Sequence, residues 1–167
     1  MGAVDPLADG TAAGDVIGVL TARGQTLAAV ESLTAGLFCA TVAGVPGASA
    51  VLRGGLVTYA TDLKATLADV PADTLDAVGP VAPDTARAMA VGAKKRCGAD
   101  WAVALTGVAG PTPQNSHPVG EVWCAIARPD HGVVVKQLDI DADAGRWGIR
   151  TAAVARALDL LATELDR

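Results

Sequence analysis

Apolar residues recur along the chain in two rhythms, and the alternation between them predicts the elements. Val16, Ile17, Val19 and Leu20 fall on one side of a helix that Asp15 would cap and Gly24 would end. Thr26–Val30 is a short apolar run suited to a buried strand. It leads through Glu31 and Ser32 into a second helix, Thr34–Val42, stopped by Gly44 and Pro46. Leu56–Tyr59 reads as a strand, residues 62–68 as a short helix, and residues 83–96 as a longer one with Ala86, Met89, Ala90 and Ala93 facing inward. Trp101–Leu105 is another strand. Residues 106–118 hold two glycines and three prolines and form a loop, and residues 121–127 and 133–138 pair as a hairpin. Residues 146–165 close the chain as an amphipathic helix. Helices alternating with strands, with one late antiparallel hairpin, predict an α/β fold: a three-layer α/β/α arrangement around a mixed sheet. Residues 1–13, rich in Gly, Ala and Asp, read as a disordered lead-in, and residues 14–167 as one domain.

Composition narrows this further. With 167 residues, 51% hydrophobic side chains and only 3% aromatic ones, the chain suits one core of Ala, Val, Leu and Ile. Thirteen Lys and Arg against 18 Asp and Glu give a net charge of -5, which argues against sequence-independent nucleic-acid binding. Cys39, Cys97 and Cys124 are odd in number and lie among apolar neighbours, as free thiols of a reducing cytoplasm would. No secretory signal and no apolar run of about 20 residues is evident, so the expected setting is cytoplasmic, with no membrane partner.

Candidate chemistry is sparse. His117 lies in the proline-rich loop and His131 at the hairpin tip, and neither is placed as a triad base. Ser32, at a turn from strand to helix, lies where free backbone N–H groups can stabilise an oxyanion; it equally suits a plain helix cap, although Ala35 occupies the capping-box position. Without a histidine base, Lys is the usual replacement, and Lys64 follows Tyr59 across a strand exit. A Lys with pKa about 10.4 is only ~0.1% neutral near pH 7.4, so a working Lys64 must be buried or crowded enough to lose about 3 pKa units. Otherwise Lys64 is a solvated helix residue and Tyr59 a strand-end aromatic. Gly107 and Gly110 either serve a plain turn or let backbone approach a ligand, and no phosphate-loop or dinucleotide fingerprint occurs. Arg146 and Arg150, four apart on the last helix, suit either a phosphate or surface ion pairs.

Seven segments in order resemble the CinA carboxyl-terminal family: Glu31-Ser32-Leu33-Thr34-Ala35-Gly36, Gly47-Ala48-Ser49, Gly55 through Tyr59 to Lys64, Val78-Gly79-Pro80-Val81, Thr106-Gly107-Val108-Ala109-Gly110-Pro111, Pro118-Val119-Gly120, and Gly145-Arg146 with Ile149-Arg150. The resemblance implies a nicotinamide-mononucleotide deamidase of pyridine-nucleotide recycling, working without metal or cofactor. In it Ser32 is the nucleophile, Lys64 the base and Tyr59 an assisting or orienting group. Glu31, Thr34, Gly36, Ser49, Thr106, Gly107, Gly110, Arg146 and Arg150 become the substrate-binding candidates. Leu33 and Ala35 depart from the family's Cys and Gly, Trp147 follows Arg146 directly and the aspartate of the family's Gly-Asp-Arg is absent, and Pro80 and Ala82 remove a turn serine. Longer members carry a molybdopterin-binding-like domain associated with pyrophosphatase activity, and no such second activity is expected here. The competing readings are an amidase for another small amide and a silent nucleotide-binding or partner-binding module. Apolar helix faces in a small domain make a homo-oligomer the expected assembly.

Overall fold

The computed structural model describes residues 5–167. Its elements are α1 (Ala13–Arg23), β1 (Leu27–Glu31), α2 (Leu37–Ala43), β2 (Leu52–Val57), α3 (Thr61–Ala68), α4 (Ala72–Val78), α5 (Pro83–Cys97), β3 (Trp101–Gly107), β4 (Val122–Ala127), β5 (Val133–Gln137) and α6 (Gly145–Leu165). The five strands form one mixed sheet in the order β2-β1-β3-β4-β5. β2, β1 and β3 run parallel, while β4 and β5 add antiparallel at one side. The expected α/β architecture with its late hairpin is therefore the observed one.

Burial explains the strand types. All five residues of β1 are buried, as befits a strand flanked by neighbours and covered on both faces. One apolar cluster joins Ile17, Leu20, Phe38, Val42, Ile149, Leu158 and Leu161 to the sheet, so α1, α2 and α6 form one outer layer. A second joins Ala68, Val70, Met89 and Ala90 to Ala28, Ala102 and Ala125, so α3 and α5 lie on the other.

Several boundaries differ from expectation for local reasons. The α2 helix begins at Leu37 rather than Thr34, because Ala35 and Gly36 both take positive φ and cannot continue a right-handed helix. Tyr59 falls just beyond β2, which runs from Leu52. Asp15 is not a cap: α1 starts at Ala13, and Asp15 sits in its first turn, where its charge favours the helix dipole. Helix α4 was not anticipated, and none of its residues is buried, so it lacks the apolar stripe that signals a helix. Part of the expected lead-in, Met1–Val4, lies outside the described residues. From Asp5 onward the backbone makes hydrogen-bonded turns, the Asp5 carboxylate accepting from the Leu7 N–H at 2.9 Å.

Connectivity locates the crevice. From β1 the chain passes through α2 to β2 on one side; from β2 it returns through α3, α4 and α5 on the opposite face to β3. Beyond its carboxyl end β1 leads on to β2 on one side, whereas β3 leads on to β4 on the other, so the two paths diverge. In open α/β sheets, that divergence leaves the cleft where ligands bind.

Candidate active site

Ser32 is the first residue past β1, and its N–H donates to the Leu105 carbonyl at 2.9 Å, which pins the serine to the end of β3. The chain then turns tightly, with the Ala35 N–H donating to the Ser32 carbonyl at 3.1 Å. Lys64 arrives from the first turns of α3. The Lys64 Nζ lies 3.0 Å from Ser32 Oγ and 2.8 Å from the Thr58 carbonyl oxygen. Its side chain is 1% exposed, and burial lowers its pKa from 10.5 to about 8. At pH 7.4 that leaves roughly a fifth of the amine neutral, against ~0.1% for a free lysine.

A neutral amine has two N–H donors and one lone pair. The Thr58 carbonyl takes a donor, which leaves the lone pair able to accept the Ser32 hydroxyl proton. This is the geometry a general base needs toward its nucleophile.

The dyad forms the floor of a cavity of about 380 Å³, within the usual range for small-molecule sites. Its walls include Tyr59, Thr61, Pro80, Val81, Arg146 and the loop from Thr106 to Gln114. The buried Thr106 hydroxyl donates to the Pro80 carbonyl at 2.7 Å, tying the end of β3 to the segment before α5. At Gly107 a Cβ would come within 2.4 Å of the Glu121 carbonyl, so only glycine lets the β3 end lie that close to β4. The Arg146 guanidinium spans the mouth, donating to the Tyr59 hydroxyl at 2.7 Å and to the Gly110 carbonyl.

The structure thus gathers Ser32, Tyr59, Lys64, Thr106, Gly107, Gly110 and Arg146 around one cavity. Other candidates it places elsewhere. The Glu31 carboxylate is buried and accepts from the N–H groups of Phe38 and Cys39 at 2.8 and 3.1 Å, so it caps α2 instead of meeting substrate. The same contacts occupy the helix donors that had been expected to serve Ser32. Thr34 and Gly36 belong to the turn behind the cavity wall, not to the wall itself. Ser49 is exposed in a short 3-10 turn (Ala48–Ala50) that enters β2. Because β2 is parallel to β1, that turn lies at the amino ends of the strands, about 16 Å of strand length from Ser32. Arg150 donates to the Leu33 and Thr34 carbonyls at 2.9 and 3.1 Å and does not line the cavity. Tyr59, half exposed at the mouth, bonds Arg146 and not the dyad. His117 pairs with Glu121 at 3.0 Å outside the cavity wall. The Thr58 carbonyl, Thr61 and Gln114 escaped the sequence reading, since a backbone acceptor and loop polar groups carry no motif of their own.

The model of the CinA C-terminal domain family matches residues 10–165. The chain belongs to the CinA C-terminal domain family. A CinA-like protein of Frankia casuarinae is 47% identical over 154 residues, covering 92% of this chain and 35% of that protein. Among solved structures, the competence/damage inducible protein CihA from Agrobacterium tumefaciens is 34% identical with a TM-score of 0.90, covering 100% of both chains. A CinA superfamily protein from Klebsiella pneumoniae is 28% identical with a TM-score of 0.83, over 93% of this chain and 96% of that one. The chain spans about a third of the length of the curated relatives it matches, 35% for the Frankia protein. Within this CinA domain, Ala35 stands in the left-handed region at φ 48°, which accounts for the glycine of the family motif there.

Proposed function

We propose that the protein is an amidohydrolase with a Ser32–Lys64 dyad, and that its substrate is the carboxamide of nicotinamide mononucleotide. The observation that carries the reading is the buried Lys64 Nζ, 3.0 Å from Ser32 Oγ at the floor of the cavity. A solvated lysine far from Ser32 would have favoured a silent binding module instead.

In the proposed reaction, neutral Lys64 takes the Ser32 proton as Oγ attacks the amide carbon. The resulting ammonium returns that proton to the amide nitrogen, the C–N bond breaks, and ammonia leaves an acyl ester on Ser32. Water then attacks the ester, Lys64 relaying its proton to Ser32 Oγ, and nicotinic acid mononucleotide is released. Each step moves one proton through one nitrogen, so the chemistry is complete with the chain's own groups. Arg146, the other cation among the described residues of the cavity wall, supports an anionic substrate, with Tyr59 holding its guanidinium across the mouth.

Ammonia release from nicotinamide mononucleotide by the purified protein tests this. Ser32→Ala and Lys64→Met are expected to lose about a thousandfold or more of kcat. The kcat/KM of the parent should rise with pH and level off with an apparent pKa of about 8, since the base works only when deprotonated. Undiminished release by Ser32→Ala would refute the nucleophile. Silence of a folded parent from about pH 6 to about pH 9 would shift the reading to another amide or to a binding module.

A further inference from the structure

The turn after Ser32 is held by a residue that the cavity never sees. Arg150 sits one helical turn beyond Arg146 on α6, yet the two side chains have different fates. Arg146 reaches the mouth, whereas Arg150 turns to the Leu33 carbonyl (2.9 Å, from Nε) and the Thr34 carbonyl (3.1 Å, from an Nη). The Trp147 ring lies 5.8 Å from its guanidinium carbon, a cation–π distance that further restrains it. Arg150 therefore grips two successive peptide groups directly behind the nucleophile.

A peptide unit is planar and trans, so its C=O and N–H point in opposite directions. Fixing the Leu33 carbonyl toward α6 aims the Thr34 N–H the other way. Likewise the Ser32 carbonyl, engaged by the Ala35 N–H at 3.1 Å, aims the Leu33 N–H out of the turn. Among the described residues neither the Leu33 nor the Thr34 N–H has an acceptor, although both residues are buried and such groups are nearly always paired. Leu33 also forms part of the cavity wall next to Ser32. A free donor on that wall beside the nucleophile is what a developing oxyanion requires.

We propose that Arg150 is a positioning residue: by clamping the Leu33 and Thr34 carbonyls it holds the turn so that the free Leu33 N–H, on the cavity wall beside Ser32, serves as an oxyanion-hole donor for attack by Ser32. The inference rests on the nucleophile assigned above. It also draws Arg150 away from a phosphate-binding role, because its guanidinium is turned to backbone behind Ser32 and does not line the cavity.

The test uses a fluorophosphonate probe on the whole protein, followed by intact mass. Labelling forms the Ser32 Oγ–P bond, breaks the P–F bond, passes the serine proton to Lys64 and expels fluoride, and the phosphoryl oxygen calls on the same Leu33 N–H. Arg150→Met is expected to label about a hundredfold more slowly, with the midpoint of its pH–rate curve unmoved. Arg150→Lys, whose ammonium lacks the planar fork that spans the two carbonyls, is expected to fall between; it also keeps the test alive should Arg150→Met not fold. With nicotinamide mononucleotide, the same variants should lose kcat while KM holds.

If both Arg150 variants label at the parent rate, the clamp is irrelevant and the proposal is overturned. A displaced pH midpoint would overturn it too, by showing that Arg150 acts on Lys64. A raised KM with kcat intact would return Arg150 to phosphate binding. A parent that never labels at Ser32, by contrast, would remove the nucleophile itself, and the clamp with it.

Discussion

Ala35 carries the plainest strain in the site. Its φ of 48° puts a Cβ where the left-handed backbone disfavours one, at a cost of roughly 1–2 kcal/mol. Glycine would relieve that cost and give back part of it as unfolded-chain entropy, about 0.4–1 kcal/mol. Ala35→Gly is thus expected to stabilise the protein by about 0.5–1 kcal/mol in urea unfolding, and a lower midpoint would contradict the assignment of strain. Leu33 shows the opposite case. Its side chain is 3% exposed and belongs to the main apolar cluster, so a bulkier residue after the nucleophile is absorbed by the core and leaves the dyad intact. Glu31 resembled a ligand group in sequence because it adjoins Ser32. Strand alternation sends the two neighbours to opposite faces, and Glu31 falls on the side of α2.

Lys64 is placed by the docking of α3 against α5. That docking depends on Gly92, where an added Cβ would come within 1.7 Å of the Ala68 carbonyl at the end of α3. The clash is with backbone, so no side-chain adjustment relieves it. Gly92→Ala should cost about 2 kcal/mol or more and push α3 outward. Activity should fall further than stability explains, because Lys64 rides on the same helix. Equal activity in a less stable variant would show that α3 can shift without moving its lysine. The strand-to-helix exits follow the same logic. β1 and β3 deliver Ser32 and Thr106 to one cleft because both are parallel and end together, with Glu31 beside Leu105 in register. Sequence patterning located those strands closely, since buried parallel strands are continuous apolar runs. It missed α4, whose exposed surface leaves no periodic trace.

Across the whole molecule, the buried lysine sets a pH dependence of stability. Below pH about 8 both folded and unfolded chains hold the Lys64 proton, and the folded state bears the full cost of burying the charge. Between about 8 and 10.5 the folded chain has released that proton while the unfolded chain keeps it, so stability contributed by this site rises with pH through that window. The difference, 2.5 pKa units, amounts to about 3 kcal/mol. Lys64→Met should therefore unfold at a higher temperature than the parent at neutral pH, and its advantage should shrink as pH rises from about 8 to about 10.5. A parent that melts higher at pH 7 would argue that Lys64 holds no buried charge. The chain as a whole is acidic, with a net charge of -5, so the positive groups of the cleft, Lys64 and Arg146, are local exceptions to its field.

Much of this protein was legible before any fold was drawn. The strands, the long helices and the hairpin depend on apolar periodicity and on glycine and proline between elements, all of which are local in sequence. The requirement that a working Lys64 be buried also followed from its ordinary pKa alone. What contacts each candidate makes is a different matter, because residues near in sequence can point apart and residues far apart can meet. Ser49 shares the motif series with Ser32 but lies at the opposite end of the parallel strands, since a crossover returns the chain to the start of the sheet before the next strand begins. Arg146 and Arg150 look equivalent by helical spacing, yet one meets the cavity mouth and the other the peptides behind Ser32. Composition and spacing settle which elements form; the register and crossing of those elements settle which side chains share a site.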